Sequence, residues 1–271
     1  MSARIAPHRG EPTTRALVEA ALGTAESELT VVLAGATPVD APMVLDIDEH
    51  APFAGAITVG FSSVADYTAS EVRTSATGTS FHLRDRVVTL RLIGERHVVP
   101  ALAAIAVAVE ARVAFDEAIA RVERVDHAQP GNLEIVASGA VLVVDDSYDA
   151  TSRSTVEALK TIAEIAGESR RSIAVLGALD ATSVDPIEIR DEHDRLGRIV
   201  VRLNIGQLVV VGDGGRHLSM AAGLEGSWDG ESLLVATPDD AYDVLRAEIR
   251  EGDVVLVKVP GLATRVAEVL L

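Results

Sequence analysis

The chain has 271 residues, of which 48% are hydrophobic and 24% charged, a composition typical of globular proteins and unlike that of disordered chains or coiled coils. Its 24 basic and 41 acidic residues give a formal net charge of −17, which disfavours phosphate backbones and anionic lipids, so we expect no nucleic acid and no membrane as partner. The lack of cysteine excludes disulfides, thiolate metal sites and a cysteine nucleophile. No apolar leader or membrane-length segment is visible, and we expect a cytoplasmic protein.

The first half of the sequence predicts a small α+β segment. Residues 1–40 hold one helical pattern and one strand-like run, Thr13–Leu22 and Leu29–Leu33. Further along, β-branched runs predict strands at Ile57–Val59, Ser80–Leu83 and Val87–Leu92, and alanine-rich stretches predict helices at about Val99–Val109 and Ala114–Val122. The turn-forming residues Asp126–Asn132 end this pattern, and we place a domain boundary between residues 133 and 134.

In the second half, short apolar runs alternate with amphipathic stretches of helical length. The predicted strands are Val141–Val144, Ile173–Leu176, Leu208–Val211, Leu233–Ala236 and Val254–Val257. The predicted helices are Ser154–Ala166, Pro186–Leu203, Arg216–Ala222, Asp239–Ile249 and Ala263–Leu270. Such alternation is typical of β-α units on a parallel sheet, so the fold class is α/β with a mostly parallel sheet in residues 134–271.

The lysine content bears on nucleotide chemistry. Lys160 and Lys258 are the only lysines, and neither follows a glycine. A phosphate-binding P-loop needs Gly-Lys-Ser/Thr, because its lysine reaches the β and γ phosphates and its hydroxyl holds magnesium. These 271 residues therefore contain no P-loop motif.

One segment carries the most chemistry, because an apolar run leads directly into Asp145, Asp146, Ser147 and Tyr148. At the carboxyl end of a parallel strand, such side chains lie where α/β proteins bind ligands. The segment resembles the D-D-S-Y-N-A-N-P element of the Mur ligases, in particular the MurF-like ligases. The resemblance implies a family that uses ATP and Mg to join D-alanyl-D-alanine to UDP-N-acetylmuramoyl-tripeptide.

Other segments resemble the same family in the same order over residues ~40–271. They are Val44–Glu49 (L-N-A-D-D), Ile57–Gly60 with Ala65–Tyr67 (T-F-G and A-D), Gly94–Ala104 (G-x-H-N-x-x-N-A-x-A-A), Gln129–Glu134 (P-G-R-x-E), Ile173–Leu179 (V-L-G-D-M), His193–Gly197 (H-x-x-x-G) and Val254–Lys258 (V-L-x-K-G-S). The resemblance implies that residues 1–133 are a truncated, α+β part of the family's central domain. It also implies that residues 134–271 are its Rossmann-like C-terminal domain.

The resemblance also implies site residues. Asp146, Arg96 and His97 fall at a vestigial nucleotide-binding edge, whereas Tyr148, His193 and Lys258 fall at substrate-contacting positions. It implies no catalytic residue and no metal ligand that this chain retains.

Several positions depart from the family pattern. Arg96, His97 and Pro100 stand where the family has His, Asn and Asn, and Asn132 replaces an arginine. Lys258 is followed by Val259 and Pro260, where the family has Gly and Ser. Proline has neither a hydroxyl nor a backbone N–H. These departures remove groups that would recognise a phosphate or a base.

Structural roles are alternatives for the same residues. Asp145 and Asp146 would then cap the helix that begins near Ser154, and Asp149 would either hold a divalent cation or have a structural role or none. His193, among Asp191, Glu192 and Asp194, would be a solvated residue of a charged helix face. Arg96 and His97 would lie in a surface loop, and Gly212–Gly215 would form either an anion-binding nest or an ordinary turn.

The leading hypothesis is a degenerate Mur ligase homologue without a cofactor. It would act as a non-catalytic binding or regulatory protein linked to peptidoglycan precursor synthesis. Its expected partner is another Mur ligase chain or a peptidoglycan precursor. The alternative is an ATP-dependent amide ligase of the MurF type, completed by a partner chain that carries the ATPase half. A chain that folds without a task is the third possibility.

Overall fold

The computed structural model describes residues 3–8, 11–34, 36–38, 42–127, 129–180 and 185–270. The chain forms two compact units, residues 1–129 and residues 130–271. Ala128, within the predicted turn cluster, lies outside the described residues. In the described part of the chain, no helix is both long enough and apolar enough to cross a membrane.

The first unit contains a seven-stranded sheet whose strands follow chain order. The strands are β1 (Arg4–Ile5), β2 (Thr30–Val32), β3 (Met43–Asp46), β4 (Ile57–Gly60), β5 (Tyr67–Ser75), β6 (Gly78–Leu83) and β7 (Arg86–Leu90). Neighbours from β1 to β5 pair in parallel, and β5, β6 and β7 pair antiparallel. The unit is therefore a mixed α/β structure rather than one with only hairpin-linked strands.

Three helices, α1 (Glu11–Leu22), α2 (Val98–Glu110) and α3 (Phe115–Val122), pack in the core of this unit. Helix α2 is apolar on nearly every side, and residues 101–108 are fully buried, as expected for a helix enclosed by other elements. Pro100 lies in its first turn, where a missing N–H breaks no helical hydrogen bond. Alanine at the contact positions lets α2 lie close to its neighbours.

The second unit contains a six-stranded sheet in the order β12-β11-β10-β13-β9-β8. The strands are β8 (Glu134–Ser138), β9 (Leu142–Asp145), β10 (Ser172–Leu176), β11 (Gln207–Val211), β12 (Glu231–Val235) and β13 (Val254–Val257). The helices are α4 (Ser152–Ala166), α5 (Pro186–Arg202), α6 (Arg216–Gly223), α7 (Pro238–Glu248) and α8 (Leu262–Leu270). All pairs are parallel except that of β8 with β9.

The predicted fold class is confirmed, and each strand and helix predicted in the second half is present within two residues of its expected bounds. Local signals explain the ends of several helices. Thr237 and Asp240 form a reciprocal capping box at the start of α7, with Pro238 in the first helical position. Gly197 permits α5 and α6 to touch, because a Cβ atom there would lie 2.6 Å from the carbonyl oxygen of Leu218.

The first residues of the second unit are held by hydrogen bonds to the loop after β9. Gly131 and Leu133 hydrogen-bond to the loop after β9: the amide of Tyr148 donates to the Gly131 carbonyl at 2.8 Å, and the amide of Leu133 donates to Asp146 Oδ1 at 3.0 Å. We expect a fragment that starts at Pro130 to unfold cooperatively and at a higher temperature than one that starts at Glu134. Calorimetry of both fragments checks this, and equal midpoints would show that residues 130–133 contribute nothing to the second unit.

Candidate functional site

The candidate site lies at the carboxyl edge of the second sheet, where neighbouring parallel strands end together. Asp145 ends β9 and is paired with Val257, the last residue of β13. The next residue on each strand, Asp146 and Lys258, therefore leaves the sheet at the same level. Ligands of open α/β sheets bind at this edge.

Asp146 and Lys258 form a buried ion pair. Lys258 Nζ donates to Asp146 Oδ2 at 2.5 Å and to the Asp146 carbonyl oxygen at 2.9 Å, and each side chain is 2% exposed. Asp146 also accepts from the amide of Leu133. The pair joins the ends of two strands to the segment that enters the unit, so it stabilises the geometry of this edge.

This pairing changes the interpretation of both residues. The sequence pattern put Asp146 at a nucleotide-binding edge and Lys258 at a substrate-contacting position. In the structure each neutralises the other, so neither charge faces a ligand. Separating a buried pair leaves an uncompensated charge, which is strongly unfavourable.

Tyr148 is the accessible residue of this group. Its side chain is 45% exposed, and its amide donates to the carbonyl oxygen of Gly131. The loop before it is held by Asp145, whose Oδ1 accepts from the amide of Ser147 at 2.9 Å. A ligand at this edge would therefore meet the Tyr148 ring before it meets any charged group of the buried pair.

The expectation that Asp145 and Asp146 cap helix α4 is wrong. Thr151 is the N-cap residue, its side chain accepting from the amide of Ser154, and the Asp149 carboxylate accepts hydrogen bonds from Thr151 and the Ser154 hydroxyl. Burial opposes ionisation of Asp149, but the bonds from Ser154 and Thr151 outweigh it and lower its pKa. Asp149 is therefore a capping carboxylate.

His193 does not lie on a solvated, charged face as expected, because it is 3% exposed. Its Nε2 accepts from the amide of Leu179 at 3.2 Å, and its Nδ1 lies 2.8 Å from the carbonyl oxygen of Ile189. This arrangement fits the tautomer protonated at Nδ1. His193 thus connects α5 to the segment after β10, and both of its nitrogens are already bonded.

Arg96 and His97 lie in the first unit, immediately before α2. His97 is 2% exposed, and its Nε2 has no hydrogen-bond partner among the described residues. Burial, with a smaller contribution from the Arg96 charge, lowers the pKa of His97 to about 3. The surface-loop alternative is therefore wrong for His97, which is a buried neutral imidazole.

Asp46 and Asp48, at the carboxyl edge of the first sheet, belong to the Val44–Glu49 segment that resembles the family, but the sequence interpretation assigned them no site role. Asp48 accepts from the amides of Phe61 and Ser62 at 2.5 and 3.0 Å. Asp46 is buried, which raises its pKa, although the Asp48 amide donates to it and partly opposes the shift. The available signal was the apolar run that precedes them, the same pattern that precedes Asp145.

The glycine-rich segment after β11 forms a turn at the carboxyl edge of the second sheet. Asp213–Gly215 form a short 3-10 turn that leads into α6, with Gly212 at φ 82°. Within the described ranges, no group of three or more His, Asp and Glu side chains is placed to hold a metal ion.

The fold and site define an α/β protein whose second unit is Rossmann-like and carries polar residues at the carboxyl edge of its sheet. Residues 131–260 match the family model described as Mur ligase, glutamate ligase domain. The chain belongs to the Mur ligase family, as its sequence motifs predicted.

Curated relatives show the same kinship. The chain is 36% identical over 203 residues to the UDP-N-acetylmuramoyl-tripeptide–D-alanyl-D-alanine ligase of Mycobacterium tuberculosis, covering 68% of this chain and 39% of the relative. It is 37% identical over 186 residues to the ligase of the same name from Mycobacterium leprae, covering 63% of this chain and 35% of the relative. The chain thus spans well under half the length of these relatives.

Solved structures show that the fold is shared over almost the whole chain. MurF from Acinetobacter baumannii is similar with a TM-score of 0.74 and 14% identity, over 98% of this chain and 76% of that one. The UDP-N-acetylmuramate-alanine ligase MurC from Thermotoga maritima is similar with a TM-score of 0.77 and 14% identity, over 99% and 74% of the two chains. At these identities the likeness concerns the fold alone.

Proposed function

We propose that this chain is a non-catalytic Mur ligase homologue that acts as a binding or regulatory protein in peptidoglycan precursor synthesis. The observation that carries the proposal is the buried ion pair of Asp146 and Lys258. An anionic ligand needs an available cation, and Lys258 already donates to Asp146. A ligand would have to displace that bond and leave a buried carboxylate without its partner.

The residues at the expected base- and phosphate-binding positions support the same proposal. His97 is buried and neutral, so it offers no positive charge to a phosphate. Asn132 is neutral, and Pro260 lacks the N–H that a phosphate oxygen would accept from. Of the residues assigned to the second sheet's edge by the family resemblance, Tyr148 keeps an accessible side chain, and its ring suits contact with a partner or a weakly held ligand better than phosphate chemistry.

One observation favours the alternative, an ATP-dependent ligase completed by a partner chain. The identity of 36% to MurF-type ligases extends over 203 residues, more than the matched glutamate ligase domain alone. A scaffold of that extent would be able to supply the second half of a ligase site if another chain supplied the nucleotide-binding half.

ATP binding separates the two proposals. We expect the chain to give no saturable heat with ATP and Mg²⁺ at millimolar concentration in isothermal titration calorimetry, because the groups that would position base and phosphates are replaced or already bonded.

A micromolar dissociation constant that Arg96→Gln weakens would instead favour the ligase alternative. Arg250→Gln, which removes an exposed arginine from the other unit, is the matched control and should leave any such binding unchanged. ATP turnover that appears only when a second Mur ligase chain is added would also support the alternative.

A further inference from the structure

A cavity of about 250 Å³ opens at the amino ends of the strands of the second sheet. Its wall includes Ser172 at the start of β10, Gly206 just before β11, Gly230 just before β12 and Ala166 at the end of α4. Since these strands are parallel, this edge is opposite the one that carries Asp146. The cavity is therefore separate from the candidate site.

Arg170 contributes a positive charge to the cavity wall. Its Nε donates to the carbonyl oxygen of Gly252 at 2.6 Å, and its Nη2 donates to the carbonyl oxygen of Asp253 at 3.1 Å. Both acceptors are neutral main-chain groups, and no carboxylate of the described residues bonds to this guanidinium. The side chain is thus held in place by Nε and Nη2, while its positive charge stays available to a ligand.

The positive charge of the neighbouring Arg171 is not available to a ligand. Its Nε and Nη2 donate to the two carboxylate oxygens of Asp253 at 3.1 and 2.6 Å, and the Asp253 side chain is 4% exposed. Hydrogen bonds to Asp253 are the main cause of its raised pKa. Of the two arginines in the wall, only Arg170 lacks an anionic partner.

Two acids, Glu168 and Asp229, complete the polar wall, and both are exposed. Apolar surface comes from Ala163, Ala166 and Leu203. The cavity is smaller than the ~300–1,000 Å³ of sites for drug-sized ligands. Its occupant is therefore small, and the wall offers it charges of both signs.

We infer that this cavity binds a zwitterionic amino acid or dipeptide, with the ligand carboxylate on Arg170 and the ligand ammonium between Glu168 and Asp229, which share its charge. A guanidinium suits a carboxylate because it offers two parallel N–H donors. The charges at the cavity mouth are partly solvated, and the affinity is accordingly in the millimolar range. The inference is independent of the proposed function, because the cavity shares no residue with the carboxyl-edge site.

The fluorescence of Trp228 provides a way to measure binding in this cavity. This residue is the only tryptophan in the chain, its indole donates to the carbonyl oxygen of Ile205, and its ring lies against Gly230 in the cavity wall. Titration of the full chain with glycylglycine is expected to change tryptophan fluorescence with a saturating curve. N-acetylglycylglycine lacks the ammonium and glycylglycinamide lacks the carboxylate, so each is expected to bind about tenfold more weakly.

Variants locate the site. Arg170→Gln and Asp229→Asn are each expected to weaken glycylglycine binding about tenfold, and Asp229→Asn serves as the second test if loss of the Arg170 bonds impairs folding. Arg250→Gln, a nearby exposed arginine outside the wall, is the matched control and should have no effect. Binding of either blocked peptide as tightly as glycylglycine, no saturable response, or a response abolished by Tyr148→Ala but not by Asp229→Asn would overturn the inference.

Discussion

Replacing Lys258 by methionine is expected to lower the free energy of unfolding by about 3–5 kcal/mol, because it leaves the Asp146 carboxylate buried without its cation. The lysine and aspartate side chains are each 2% exposed, so water cannot take the place of the missing partner. Urea unfolding followed by circular dichroism measures the change.

A double variant separates the ion pair from simple loss of packing. In Lys258→Met with Asp146→Asn, the asparagine keeps an oxygen that accepts from the Leu133 amide and carries no charge. We expect it to recover about 2 kcal/mol relative to Lys258→Met alone, within the range of coupling energies between contacting residues. Arg153→Met, in an exposed pair with Glu157, should change stability by less than ~0.5 kcal/mol. A double variant no more stable than Lys258→Met would contradict the role of the buried charge.

Acid is expected to destabilise the first unit through His97. In the unfolded chain its imidazole takes up a proton near pH ~6.5, whereas in the folded chain burial and the Arg96 charge lower its pKa to about 3. Between these values the unfolded chain binds the extra proton. The free energy of unfolding should therefore fall by about 1.4 kcal/mol for each pH unit of acidification across that window.

His97→Gln isolates this contribution, because glutamine does not titrate. The measurement is urea unfolding at several pH values from neutral down to about pH 4, comparing the wild-type chain with the variant. The variant is expected to have the shallower dependence of stability on pH. His82→Gln is the matched control in the same unit, since the His82 side chain is 46% exposed. Equal slopes for wild type and His97→Gln would show that His97 accepts its proton in the folded state as readily as in the unfolded one.

The predicted strands of the second unit agree with the structure because strands buried on both faces appear in a sequence as continuous apolar runs. Strand β5 was not predicted, since most of its residues are polar and its buried and exposed positions do not alternate regularly. Its pairing with β6 shifts register between Ser70 and Arg73, and Glu71 has φ 51°. Strand β8 was missed for a related reason, because its pairing with β9 also shifts register. Strands whose pairing shifts register carry little periodicity for a sequence to reveal.

The error over His193 has a specific cause. Its neighbours in the sequence are charged, but neighbours in a helix point in different directions. His193, Leu196, Gly197 and Val200 are buried together on one face of α5, a spacing of three and four residues that predicts a core position. The periodicity of the helix was therefore a better guide than the charge of adjacent residues.

The sequence by itself determined the Mur ligase kinship, the α/β class and the strand ends where polar residues gather, because motif order and hydrophobic periodicity are local properties. Only the tertiary structure decided what those residues do. Asp146 and Lys258 are 112 positions apart, and they meet because β13 inserts between β10 and β9. Burial then turned two charges that a sequence presents as available into a mutually neutralised pair, since a low-dielectric interior tolerates a charge only beside its partner.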